Sequence, residues 1–363
     1  MSVATDIFTA GNFGSRSKPY VNPSTLARVF PAEEDTAQLR EDAMIQLEKF
    51  EKYLIEEFYD DYRSGDMSHG TFTRRVAFIM GSMTAAAAAM TLVGCTPDEV
   101  PKTGDPMPTP TASATSGKTT AVPNAKSPLT VPEGAVGLTT AMVKFDSGGS
   151  EISAYLARPE NAKPGPAVLV CHENRGLTPH IQDVARRFAK EGYAALALDL
   201  LSREGGTASM DPDAVPGALT KAGAQRHVGD FQTAFEYLNG QDFVEQGRIA
   251  MVGFCFGGGI TWQAATEIPG LKATSAFYGP APDLAKVPTI KPAVFGVYAE
   301  KDARITGSMP QLKDALDATQ VKHQLKVYPG VDHAFHNDTS DRYNEAQASA
   351  AWNDTLAWFK DNV

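Results

Sequence analysis

The sequence predicts an α/β fold: a mostly parallel sheet covered by helices on both faces. Three observations carry the prediction. Short apolar runs near 167–171, 194–199, 248–252, 273–277, 293–298 and 323–328 alternate with helical segments near 179–191, 220–240, 256–267, 309–319 and 341–361. Strands written as near-continuous apolar runs are buried on both faces, which requires helices on either side. A polar turn, Asp146-Ser147-Gly148-Gly149, separates 141–145 from 152–156 and reads as an opening hairpin. Finally, the run 248–252 leads through Gly253-Phe254-Cys255-Phe256-Gly257-Gly258 straight into a helix start. The segment 205–217, rich in glycine and proline, has no periodicity and reads as a lid or a connection.

A strand, a Gly-x-nucleophile-x-Gly turn and a helix make the nucleophile elbow of the α/β-hydrolase fold, here with Cys255 in the nucleophile position. The glycines let backbone pass close to a sharp turn. The helix that follows aims its positive end at the sulfur, and the Phe256 N–H points where an oxyanion would form. The competing reading makes Cys255 a small buried hydrophobe in a packing turn. A phosphate loop would need a Lys-Ser/Thr pair after the glycines, and none follows.

An acyl-transfer nucleophile needs a base, and the base an orienting acid. In this fold they follow the nucleophile in the order acid, then histidine. Asp302 lies past the apolar run 292–298, with Glu300 as its rival; His333 lies past the alternating run 323–328, with His336 as its rival. Both sit at strand C-terminal ends, where such sheets collect their reactive groups. A metal set from His172, Glu173, His333 and His336 is a weaker alternative, because the helical zinc spacing is missing. A Cys171–Cys255 disulfide would silence the nucleophile if the two strands brought the residues close enough.

Five stretches in order resemble the dienelactone hydrolases, or carboxymethylenebutenolidases, over about residues 135–363. They are Cys171-His172-Glu173-Asn174-Arg175-Gly176-Leu177, residues 192–203, Gly253 to Gly258, and the Asp302 and His333 loops. The resemblance implies Cys255 as nucleophile, His333 as base and Asp302 as orienting acid. It implies that Glu173 contacts the resting cysteine, that Asn174 and Phe256 supply the oxyanion N–H groups, and that Arg203 binds a substrate carboxylate. Dienelactone-specific members carry a second arginine four positions after the histidine, where this chain has Asn337. A neutral ester or a different lactone is therefore the expected small-molecule substrate, hydrolysed through an acyl-cysteine without a cofactor or metal. A peptidase or acyltransferase on the same fold, and a non-catalytic binding lipoprotein, are the alternatives.

The chain has 363 residues, more than one such domain needs, and a formal net charge of −10 that argues against nucleic acid as a partner. Three cysteines make no disulfide framework. Arg74 and Arg75 precede an apolar stretch that ends Leu92-Val93-Gly94-Cys95. Residues 71–95 thus resemble a twin-arginine export signal joined to a lipoprotein box, with Cys95 lipidated and Arg74 and Arg75 read by the export machinery. That implies a periplasmic or cell-surface enzyme tethered to a membrane. A core helix in a cytoplasmic protein, or a retained membrane helix, is the alternative. Residues 96–134 read as a disordered linker. Residues 1–70 form an extension with an acidic amphipathic helix over about 33–63, and translation could begin at Met1 or Met67.

Overall fold

A computed structural model describes residues 49–81, 85, 86, 89, 90, 120–161 and 163–363. Two helices lead, α1 (Lys49–Ser64) and α2 (His69–Met80). The domain then runs β1 (Leu138–Ser147), β2 (Ser150–Pro159), β3 (Gly165–Cys171), α3 (Pro179–Lys190), β4 (Ala194–Leu198), α4 (Val215–Ala222), α5 (Ala224–Asn239) and β5 (Val244–Phe254). It continues α6 (Phe256–Glu267), β6 (Ala273–Phe277), β7 (Ala293–Ala299), α7 (Ala303–Thr306), α8 (Met309–Asp317), β8 (His323–Tyr328) and α9 (Glu345–Asn362).

The strands form one sheet in the order β1-β2-β4-β3-β5-β6-β7-β8. β1, β2 and β4 pair antiparallel, and every pair from β4 through β8 is parallel. Every residue of β4, β6 and β7 is buried, as their unbroken apolar runs demand. α3 opens on Pro179, whose missing N–H costs nothing in a first turn, and buries Ile181, Val184 and Phe188. Phe188 packs on Trp352 of α9 with ring centroids 4.4 Å apart. α9 starts later than the sequence suggests, at the Asn344 cap, whose side chain accepts from Gln347 N–H. The expected helix over 220–240 is two helices, because Gly223 takes φ 81° between them.

The last part of the expected linker is corrected by the structure: residues 120–134 are fixed on the domain. Thr120 pairs with Glu133 in an antiparallel bridge, and Val122 and Val131 are buried. Their low hydrophobicity misled because the attachment is polar. Buried Asp183 accepts from Val131 N–H at 2.7 Å, Arg186 donates to Val131 O at 2.7 Å and to Glu133 at 2.8 Å, and buried Asp338 accepts from Ser127 N–H. Buried charges must be partnered, and this segment supplies the partners.

Both leading helices also dock. Leu54 and Phe58 of α1 and Phe72 and Val76 of α2 are fully buried. α2 is capped by Ser68 and ended by Gly81 in the left-handed region. Arg74 and Arg75 grip opposite oxygens of Asp213, each with a contact at 3.0 Å. A Cβ on Gly217 of α4 would lie 2.8 Å from the Phe78 carbonyl carbon, so only glycine permits this approach. Cys95, residues 33–48 of the expected helix and residues 96–119 of the linker lie outside the described residues. Among the described residues no helix is long and apolar enough to cross a membrane.

Candidate active site

The elbow is built where β5 ends. Cys255 adopts φ 58° and ψ −121°, a backbone state costing on the order of 1–3 kcal/mol that the surroundings must enforce. They do so by contact. A Cβ on Gly253 would sit 2.1 Å from Gly257 O, one on Gly257 would sit 2.4 Å from His172 O, and one on Gly258 would sit 2.4 Å from Phe277 O. Cys255 N–H donates to Phe277 O at 3.0 Å, tying the turn to β6. No side chain caps α6, so Phe256 N–H is a first-turn donor beside the sulfur.

Two adjacent loops bring acid and base to it. Glu300 N–H donates to Tyr328 O and Lys301 N–H to Val331 O, which joins the ends of β7 and β8. Asp302 caps α7 and meets His333: Asp302 Oδ2 lies 2.6 Å from His333 Nδ1. A ring nitrogen of His333 lies within 4.8 Å of Cys255 Sγ. The rivals are elsewhere. Glu300 accepts from Gly330 N–H at 2.7 Å. His336 is stacked on Phe254 in the core, and burial holds its imidazole well below the usual range.

Two side chains at this centre come from α1 and were not among the expected site residues. Tyr53 Oη lies 3.3 Å from Cys255 Sγ and 3.5 Å from His333 Nε2. Glu57 places its carboxylate oxygens 3.4 and 3.5 Å from Sγ and accepts from Asn174 Nδ2 at 2.8 Å. The one signal in the sequence was spacing: Tyr53, Glu57 and Asp61 recur every four residues along one helix face.

This arrangement sets the local charges. Burial alone would lower the His333 pKa, but the carboxylates of Glu57 and Asp302 raise it well above the ordinary histidine range. Burial would raise Asp302 and Glu57, yet the attraction of His333 leaves both below the usual carboxylate range. Burial first, and then the Glu57 charge, push the Cys255 thiol up.

Three expectations change. Glu57, not Glu173, is the carboxylate hydrogen-bonded to the sulfur; Glu173 instead accepts from Asn337 Nδ2 at 2.6 Å. Arg203 does not reach the cavity, because buried Asp230 claims its guanidinium at 2.5 and 2.8 Å and Ser147 O accepts a third bond. The histidine-rich metal set is not assembled, since His172 is held by Glu173 O and Leu200 N–H in the core. Among the described residues, the atoms that could share a cation are those of Glu57, Cys255 and His333, a mixed O, S and N donor set suited to zinc. Cys171 and Cys255 are both free, buried thiols.

A cavity of about 520 Å³ opens over this centre, and Cys255, His333, Asn174, Arg175, Asn337 and Arg342 are among its lining residues. Residues 152–363 match the model of the dienelactone hydrolase family. The chain belongs to that family. A Saccharolobus solfataricus protein provisionally named carboxymethylenebutenolidase is 36% identical over 245 residues, covering 57% of this chain and 93% of its own. The crystal structure of a provisionally assigned dienelactone hydrolase from Klebsiella pneumoniae matches with TM-score 0.58 and 32% identity, over 61% of this chain and 98% of that one. The Pyrococcus horikoshii acylaminoacyl peptidase, 14% identical with TM-score 0.51 over 62% of this chain and 42% of its own, shares the fold alone. The family match begins at residue 152, so α1 and α2 lie outside it.

Proposed function

We propose that this family member hydrolyses carboxylic esters or lactones through an acyl-cysteine. The observation that carries the reading is the convergence of Cys255, on a strained elbow, with the Asp302–His333 pair at neighbouring strand ends. His333 takes the thiol proton and Cys255 Sγ adds to the substrate carbonyl. The oxyanion is held by the N–H groups of Phe256 and Asn174, each donor contributing on the order of 10²–10³ in rate. The C–O bond then breaks and His333 returns the proton to the leaving alkoxide. Water, deprotonated by His333, cleaves the thioester to the acid and regenerates the thiol. Asp302 holds the imidazole tautomer throughout.

Arg203 is committed to Asp230, and at 337 a neutral amide, bound to Glu173, stands where dienelactone-specific members carry an arginine, so neither position offers a free cation to a substrate carboxylate. That favours a neutral ester or lactone over dienelactone itself. Hydrolysis of p-nitrophenyl acetate and a dienelactone by the full chain, with Cys255→Ala as the blank, tests the reading in both the wild-type and Glu57→Ala backgrounds. A Cys255-dependent rate faster on the neutral ester is expected. No Cys255-dependent rate in either background overturns it.

The proposal extends to location: export directed by Arg74 and Arg75, and a lipid tether at Cys95. The intact mass of protein purified from membranes is expected to begin at lipidated Cys95, and a mass beginning at Met1 or Met67 overturns it.

A further inference from the structure

The reacting sulfur lies under a helix that the family match does not include. Cys255, His333, Asn174, Tyr53 and Glu57 are each 6% exposed or less. A carbonyl carbon must come within about 3–3.5 Å of a nucleophile before reaction. On Cys255 that distance is already taken, by the Tyr53 hydroxyl and by both oxygens of the Glu57 carboxylate. Glu57 is moreover held by the side-chain amide of Asn174, the residue whose backbone N–H the proposed mechanism uses as an oxyanion donor.

We infer that α1 is a built-in inhibitor, with the Glu57 carboxylate lying where the acyl group of a substrate, or the acid product, has to lie. This rests on reading Cys255 as the nucleophile. The electrostatics point the same way. A carboxylate at 3.4 Å disfavours the thiolate, and His333, charged between Glu57 and Asp302, cannot accept a second proton.

The helix is fastened on several sides. The Arg304 guanidinium lies over the Tyr53 ring at 4.6 Å and donates to Tyr53 O. Arg342 bridges Asp61 and Asp66. Phe50 packs edge-on against Phe256, centroids 5.2 Å apart. α2 adds the double grip of Arg74 and Arg75 on Asp213. A chain beginning at Cys95 would lose α1 and α2 together, so the export processing proposed above would also uncover the nucleophile.

The test measures two rates on the full chain: peptide-resolved alkylation of Cys255 by iodoacetamide, and p-nitrophenyl acetate hydrolysis. Glu57→Ala is expected to raise both by on the order of tenfold, because only the undocked fraction of the wild type reacts. Glu57→Gln removes the charge but keeps the shape, and is expected to move the alkylation profile to lower pH. Asp213→Asn loosens α2 without touching the catalytic centre, so it keeps the test readable if a Glu57 variant fails to fold; a smaller rise in alkylation is expected. Faster alkylation with no ester turnover would uphold the blockade and overturn the hydrolase reading. Equal alkylation in wild type and both openings, or a fall in turnover in Glu57→Ala with alkylation unchanged, would overturn the blockade.

Discussion

The family domain and the two helices ahead of it meet at one sulfur atom, but different forces hold them there. In the domain, Cys255, Asp302 and His333 stand at the ends of β5, β7 and β8, and their spacing is that of a hydrogen-bonded sheet. The elbow leaves no slack, since three glycines each exclude a methyl group. The helices bring Tyr53 and Glu57 to the same point by docking an amphipathic face and closing ion pairs with Arg304, Arg342 and Asp213. A docked helix can leave as a body, whereas a strand end cannot. The same square ångströms of surface therefore hold both a rigid machine and a removable cover.

The largest effect on the domain is expected of Gly253→Ala. Its Cβ meets the carbonyl of Gly257 and the hydroxyl of Thr261 at 2.1 and 2.3 Å, neither of which can retreat without moving α6. Loss of more than about 3 kcal/mol of domain stability is expected, beyond the usual cost of overpacking, together with loss of Cys255-dependent turnover. Thermal unfolding and ester hydrolysis of the variant check both.

Phe58→Ala strikes the leading helices instead. Phe58 is fully buried in α1 beneath the Arg75 guanidinium, 5.3 Å from its ring centroid. Removing such a ring costs about 3–5 kcal/mol. If the helices are a separable cover, limited proteolysis should speed up within 49–81 while the unfolding temperature of the domain hardly moves. A single transition shifted as a whole would show that cover and domain are one cooperative unit.

A smaller effect separates them by pH. His227 of α5 is fully buried against Phe256 and meets Leu219 O at 2.9 Å. Burial pushes its pKa down to about 4. The unfolded chain, with an ordinary value of about 6.5, takes up the proton first as pH falls. The His227 contribution to stability should therefore be full above about pH 6.5 and fall between there and pH 4, by up to about 3 kcal/mol. His227→Gln is expected to flatten most of that slope in pH-dependent unfolding, with His172 and His336, also lowered by burial, leaving a remainder.

Much of the domain was legible in the chain because its signals are local. Apolar runs announce buried strands, and Gly253 to Gly258 announces a turn that only glycine can make. What misled were residues whose partners are far off in sequence. Arg203 reads as a carboxylate binder until Asp230 is seen to hold it. Residues 120–134 read as disordered until the buried charges of α3 are seen to need their backbone. The helix over 220–240 hid its break because the left-handed φ of Gly223 is a fact of conformation, not of composition.

By itself the sequence determined the α/β-hydrolase fold and the order of cysteine, carboxylate and histidine along it, because strand ends and tight turns are written in consecutive residues. Only the tertiary structure decided which carboxylate faces the sulfur. Glu173 stands two residues past the end of a neighbouring strand and turns to Asn337, while Glu57 arrives from 198 residues away. The physical reason is that a side chain's partner is chosen by packing. The face on which an amphipathic helix docks depends on the shape of the surface that receives it, and no window of sequence contains both.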